Sequence, residues 1–443
     1  MKLILENFRI VDEKKDFPGT VIAENGIITQ VISGEIKPEQ KEQASVIING
    51  KNLRRENPDE LPILMPAFVD LHAHFREPGN SAAETIESAC LAAAAGGFGT
   101  VVCMANTKPA IDSLEKLIAL KERSDALGLI DLYPVMSLTR GMEGKELSSI
   151  DRLIPRPDEI SASVQWKGPL MLSEDGRDLE DETLFLKAME EARRLDVPIS
   201  CHCDFGSSEG AAVRRAIELG KKASCHIHIA HVSTEEALSI IREAKKEAAP
   251  FGSEKNSRGF SLTCEAMPHH FCLTRVDAEK MGAESFGRVN PPLQTEEDRR
   301  ALILAIKDGT ADAIATDHAP HTAEDKAKGA PGFSGLETAF AASFTELARG
   351  QAGHSPVIDL KRLSFLMSAN PARLIGLAGP ENSARGRINP GCRADLAIID
   401  TESSWIADPG YFRTRGKNSA FTGRKLFGKI LLTFRGGKII YEV

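Results

Sequence analysis

The sequence has no apolar run of membrane-spanning length, because every candidate stretch is broken by glycine, proline or a charged residue. No membrane segment is therefore expected. Nor is a secretory signal: Met1-Lys2-Leu3-Ile4-Leu5 leads into an alternating pattern and not into a long apolar core. Positive charge is not in excess either. Lysines and arginines number 55 against 63 acidic residues, a net charge of −8, which argues against a nucleic-acid-binding surface. The eight cysteines include no CxxC pair, so a zinc ribbon is not indicated, and their scatter reads as reduced thiols in a cytoplasm. Cys201 and Cys203 flank His202, and strand alternation turns them away from whatever His202 faces, as core thiols. What remains is 443 residues with 42% apolar and 27% charged content, an ordinary globular composition long enough for a large barrel and an accessory domain.

Short strands separated by turns are expected over 2–10, 20–23, 27–32 and 46–48, with Glu24-Asn25-Gly26 as a hairpin signal. The far end is similar, with strand-like 394–399, 430–434 and 438–441, so one composite β domain from both termini is expected. Between them, eight apolar strand candidates (63–71, 99–104, 131–137, 169–173, 197–202, 225–232, 260–266 and 312–316) alternate with helical periodicity, as in 83–95, 181–195, 234–248 and 296–307. The expected architecture is α/β: a (β/α)8 barrel over 66–376, with a small β-sandwich domain formed from 1–65 and 377–443.

In such barrels chemistry sits at the C-terminal ends of the strands. The first candidate closes on VDLHAHFR (69–76), where His72 and His74, two residues apart on a strand, point the same way and suit two ligands of a zinc-type metal. The fourth ends in Ser173-Glu174-Asp175-Gly176 and the fifth in His202. The sixth ends in His226, His228 and His231, and the eighth closes on Asp317-His318-Ala319-Pro320-His321. Eight of the 11 histidines fall in these segments. Within them, His231 is nearest the loop and is the favoured ligand, whereas His226 and His228 either line the barrel interior or pack against helices. His318 should point away from Asp317, and His269 and His270 suit a structural or supporting role as well as a direct one. Arg76 shares the parity of the two histidines, and its planar fork suits a substrate carboxylate.

Together these segments resemble the dihydroorotase branch of the amidohydrolase family of metal-dependent cyclic-amide hydrolases. DLHAHFREPG (70–79), MANTKP (104–109), SEDG (173–176), AHVST (230–234), VNPPL (289–293) and ATDHAPHT (315–322) follow in family order, and GRINPGCRADLAIID (386–400) resembles the return into the family's β domain. The resemblance implies His72, His74, Asp175, His202, His231 and Asp317 as metal ligands for one or two Zn2+ ions per subunit, with Asp317 also catalytic. It implies His74, Arg76, Asn106, Asn290, His321, Pro331 and Gly332 as substrate-binding residues. Many relatives bridge two metals with a carboxylated lysine. This chain is similar to the bacterial branch with an aspartate there, and Lys167 reads as an ordinary surface residue. Glu174 stands where that branch often has another aspartate, which leaves two candidates for the bridging carboxylate. Ala105, Gln294 and the order Gly332-Phe333 also depart from the family pattern, and they bear on substrate fit.

The implied reaction is reversible closure of N-carbamoyl-L-aspartate to L-dihydroorotate, in pyrimidine biosynthesis in the cytoplasm. The resemblance allows a homodimer and an aspartate transcarbamoylase partner. The neighbouring readings are an allantoinase or a dihydropyrimidinase/hydantoinase, and, from another class, a non-catalytic paralogue that scaffolds the transcarbamoylase. The segment 319–332, rich in alanine, lysine and glycine, is read as a lid carrying His321.

Overall fold

A computed structural model describes residues 1–53, 57, 59–153, 168–204, 206–249, 259–350, 355–379 and 384–443; Lys167 lies outside them. The N-terminal strands are β1 (Lys2–Val11), β2 (Asp16–Glu24), β3 (Ile27–Ser33), β4 (Val46–Asn49) and β5 (Ile63–Pro66). The chain then enters parallel strands β6 (Phe68–Ala73), β7 (Phe98–Cys103) and β8 (Asp131–Pro134). Five more follow: β9 (Leu172–Ser173), β10 (Ile199–Cys201), β11 (His226–Ile229), β12 (Ser261–Ala266) and β13 (Ala313–Ile314). It ends in β14 (Leu396–Ile406), β15 (Lys425–Arg435) and β16 (Lys438–Glu442).

The eight central strands form two parallel sheets, β6-β7-β8 and β9-β10-β11-β12-β13. Parallel bridges Met136–Leu172 and Ala73–His318 join them at both seams and close the (β/α)8 barrel. Every residue of β6, β7 and β12 is buried, as expected of parallel strands covered on both faces. The covering helices start where side-chain caps satisfy free backbone N–H groups. Thr85 caps Ile86–Ala95, Asp181 caps Glu182–Leu195, Thr234 caps Glu235–Lys245 and Thr295 caps Glu296–Asp308. No helix among the described residues is long and apolar enough to cross a membrane.

The terminal strands make one eight-stranded sheet in the order β16-β15-β14-β5-β1-β2-β3, with β4 also on β1. The expected sandwich is thus one continuous sheet curled over its own core, where Leu3, Leu5 and Phe8 of β1 pack with Leu396, Leu432 and Phe434. One expectation needs correcting. The apolar run 63–71 is not a single barrel strand. Residues 63–66 pair with β1 and β14, and the chain changes partners at Ala67, whose N–H goes to Asp395 O while that of Phe68 goes to Gly97 O. The first barrel strand therefore begins at Phe68. All eight cysteines are unpaired and none is exposed; burial pushes the thiols of Cys201 and Cys203 well up.

Candidate metal centre and active site

The strand-end residues converge. His72 leaves β6 with its ring 5.3 Å from that of His74. Their donor atoms fall into two overlapping groups: His72, His74 and Asp317, and His72, Asp175 and His231, with the atoms of each group within 4.8 Å of one another. His74 Nε2 lies 3.0 Å from Asp317 Oδ1, and His72 Nε2 lies 2.9 Å from Asp175 Oδ1. The ring of His202 stands 4.4 Å from that of His231. The resemblance left Glu174 and Asp175 as two candidates, and the structure separates them. Glu174 turns to the N–H of Thr139 (3.0 Å) and to its hydroxyl, while Asp175 faces the histidines.

Both ring nitrogens of His231 are buried and make no hydrogen bond, whereas Nε2 of His72 faces Asp175 and Nδ1 of His202 faces Asp204 Oδ2 at 3.2 Å. A buried polar atom without a partner is destabilising by about 1–3 kcal/mol. The unpartnered His231 ring, grouped with the imidazoles of His72, His74 and His202 and with two carboxylates, is the donor set a divalent N/O-ligated ion satisfies, so these residues fit a metal. Electrostatics agree with that reading. Burial opposes ionisation of Asp175 and Asp317, yet the surrounding histidines hold both carboxyls well below the usual range. Burial, reinforced by His202 and His72, pushes His231 well down, which keeps its lone pair free.

Around the donors lies a supporting set. Asn106 bridges His74 and Asp175, its Oδ1 2.9 Å from His74 Nδ1 and its Nδ2 donating to Asp175 Oδ2 at 2.8 Å. Arg76, half-buried with desolvation lowering its pKa, donates from Nε to Pro320 O (3.1 Å), and its Nη2 is 3.2 Å from His321 Nε2. The same His321 nitrogen is 2.8 Å from Pro331 O. Burial, then Arg76, lowers His321 to about 4, so its ring is neutral near pH 7. Gly332 packs so closely that a Cβ there would stand 2.5 Å from Ala319 Cβ and 3.4 Å from His321 Nε2. Arg76, His321, Pro331 and Gly332 thus form one arm. Asn290, half-buried, is not hydrogen-bonded to the described residues of the cluster.

Several residues escaped the sequence reading. Glu265, at the end of β12, places Oε1 2.8 Å from His72 Nδ1 and Oε2 3.2 Å from His228 Nε2. His228 therefore lines the barrel interior, and Thr263 Oγ1 links its Nδ1 (2.8 Å) to His226 Nε2 (2.9 Å). A carboxylate at a strand's C-terminal end was the signal that could have found Glu265. His318 points away from Asp317 as expected, to Glu84 at 3.2 Å. His270 is held by Pro291 O, and His269 Nε2 is buried and unpaired. Arg76, His231 and Asp317 have positive φ (59°, 33° and 44°), strained conformations that concentrate at functional sites.

A closed β/α barrel carrying histidines and carboxylates at its strand ends is metal-dependent hydrolase architecture, and residues 63–440 match the profile described as Amidohydrolase family; the chain belongs to that family. It is 37% identical over 450 aligned residues to a dihydroorotase of Clostridium botulinum (strain Eklund 17B / Type B), with both chains covered in full. A dihydroorotase of Aquifex aeolicus is 32% identical over 470 residues, again covering 100% of each chain. Among solved structures, L-hydantoinase (dihydropyrimidinase) from Arthrobacter aurescens matches with a TM-score of 0.80 and 21% identity over 99% of this chain and 96% of that one. Dihydropyrimidinase from Brevibacillus agri NCHU1002 matches at 0.77 with 18% identity over 100% and 95%. At those identities the structural likenesses bear on the fold alone.

Proposed function

We propose that this chain catalyses the dihydroorotase reaction in the cytoplasm, the reversible closure of N-carbamoyl-L-aspartate to L-dihydroorotate, with Zn2+ as the metal. The observation that carries the reading is the half-buried Arg76–His321 pair beside the histidine–aspartate cluster. It sets a cationic fork next to the reacting centre, where a ring substrate bearing a carboxylate needs one. The dihydroorotases that match along their full length support the same choice.

One or two ions held by His72, His74, Asp175, His202, His231 and Asp317 would activate water near neutral pH and polarise the scissile carbonyl. The protein's own groups do the rest. Asp317 is held ionised in the folded chain, so it can take a proton during ring opening and return it to the leaving ring nitrogen. During closure it works in reverse. Closure consumes one proton overall, because a carboxylate becomes a neutral amide carbonyl. Arg76 pairs with the carboxylate that stays on the ring, and neutral His321 supplies a directional contact without adding a second charge. Asn106 fixes His74 and Asp175 against each other.

The second reading is a hydantoinase or dihydropyrimidinase, the kind of protein named among the neighbours that share the fold. Their rings lack the carboxylate that would pair with the half-buried Arg76 guanidinium, and leaving a partly desolvated charge without a counter-charge is unfavourable. The experiment is chromatographic: zinc-loaded and chelator-treated protein are incubated with N-carbamoyl-L-aspartate and, separately, with L-dihydroorotate. Metal-dependent interconversion in both directions is expected. Absence of interconversion by the loaded protein would contradict the proposal.

A further inference from the structure

The arm that carries Pro331 and Gly332 is held from two sides. The carbonyl of Gly332 accepts from Lys326 Nζ at 3.0 Å and from Asn418 Nδ2 at 2.9 Å. Lys326 sits on the short helix Ala323–Ala327 and is completely buried. Its other two protons go to the carbonyls of Arg288 (2.8 Å) and Ala330 (2.9 Å). An ammonium has three donors and no acceptor, so Lys326 is saturated by backbone oxygens alone. Burying a charge on carbonyls without a carboxylate partner is unfavourable, so it persists only where the surrounding structure is strongly determined. Here it joins the segment leading to Asn290 with the segment containing Gly332.

Asn418 comes from the far terminal segment that precedes β15. Its Oδ1 accepts from the N–H of His321 at 2.9 Å, and its own carbonyl accepts from Ser334 N at 2.9 Å. The backbone of Gly416 lies so close to the arm that a Cβ there would stand 2.6 Å from Pro320 Cβ and 2.7 Å from His321 N. The segment read from sequence as a lid is therefore packed and tied at its centre.

We infer that Lys326 and Asn418 are positioning residues, a two-pronged clamp on the Gly332 carbonyl that sets the distance between Asn290, His321 and the 331–332 turn for the substrate; this rests on the function proposed above. Neither side chain touches the donor cluster, so the clamp acts on binding of the ring and its carboxylate. Small displacements of such an arm alter rates and affinities steeply, by up to about 100-fold for 1 Å.

The test uses the full-length, metal-loaded protein with Lys326→Met, which keeps the apolar stem, with Asn418→Ala, and with both changes. Steady-state kinetics on L-dihydroorotate should show KM raised ~tenfold in each single variant while kcat stays within about twofold. The double variant should be no worse than about the poorer single one, because both prongs act on one oxygen. Hydrogen exchange should rise across 329–334 and stay unchanged along β6. Asn418→Ala keeps the question open to refutation if Lys326→Met folds poorly. Unchanged KM, or unchanged exchange across 329–334 in Asn418→Ala, would overturn the clamp. If the loaded wild-type chain turns over no ring, the functional reading fails, and the exchange measurement alone decides the clamp.

Discussion

Glu265 accepts a hydrogen bond from His72, its Oε1 2.8 Å from His72 Nδ1, with both side chains buried. That contact places the ring's proton on Nδ1 and leaves Nε2 to face Asp175 and Asp317. Against the penalty of burial, the two histidines lower Glu265 to about 2, so it is ionised throughout the working range. Replacing it by glutamine should weaken metal affinity by about 10–100-fold while leaving the barrel folded. Equilibrium dialysis with Zn2+ checks the affinity, and circular dichroism checks the fold.

Glu174 and Asp175 are adjacent but serve different neighbours. Glu174→Gln removes a partner of Thr139 and should leave metal stoichiometry unchanged. Asp175→Asn should lower it, because Asp175 is the carboxylate facing His72 and His74. Metal content after dialysis distinguishes the two, and loss in Glu174→Gln alone would reverse the assignment.

The barrel was legible in the sequence because its strands are buried on both faces and so read as continuous apolar runs. The same property hid the partner change at Ala67, since 63–69 reads as one apolar run although 63–66 and 68–73 serve different sheets. Strand β14 extends past 399 through a polar stretch where the register slips between Asp400 and Ser404, and alternation could not signal it. In the site, His72, His74 and Asp317 could be read from parity and strand ends. The left-handed backbone at Arg76, His231 and Asp317 could not, because it is imposed by the surrounding packing. Lys326 and Asn418 carry no periodic or motif signal, since their importance lies in backbone carbonyls that only the folded loops bring to them.

Arg76 should govern affinity for the carboxylate-bearing ring. A hydrogen bond to a charged group is worth about 1.5–3 kcal/mol, so Arg76→Ala should lower kcat/KM for dihydroorotate by roughly 10–150-fold. The loss should lie mainly in KM if the contact is the same in ground and transition states. A loss confined to kcat would move Arg76 from binding to chemistry.

Acid stability should depend on the barrel histidines. Burial, then His228, lowers His226 from the ordinary 6.5 to about 3. The unfolded chain therefore binds a proton that the folded chain refuses between those values. Stability must then fall as pH drops from about 6.5 toward 3, and the effect is absent above that window. Melting temperatures recorded from pH 7 to 4 should fall less steeply in His226→Gln than in the wild-type chain.

The central claim is that the site selects a ring carrying a carboxylate. The most direct measurement compares kcat/KM of the zinc-loaded protein on L-dihydroorotate, dihydrouracil and allantoin under one set of conditions, with chelated protein as control. The account predicts metal-dependent turnover of dihydroorotate far above the other two. Preference for dihydrouracil or allantoin would contradict it and place the chain with the neighbouring hydrolases.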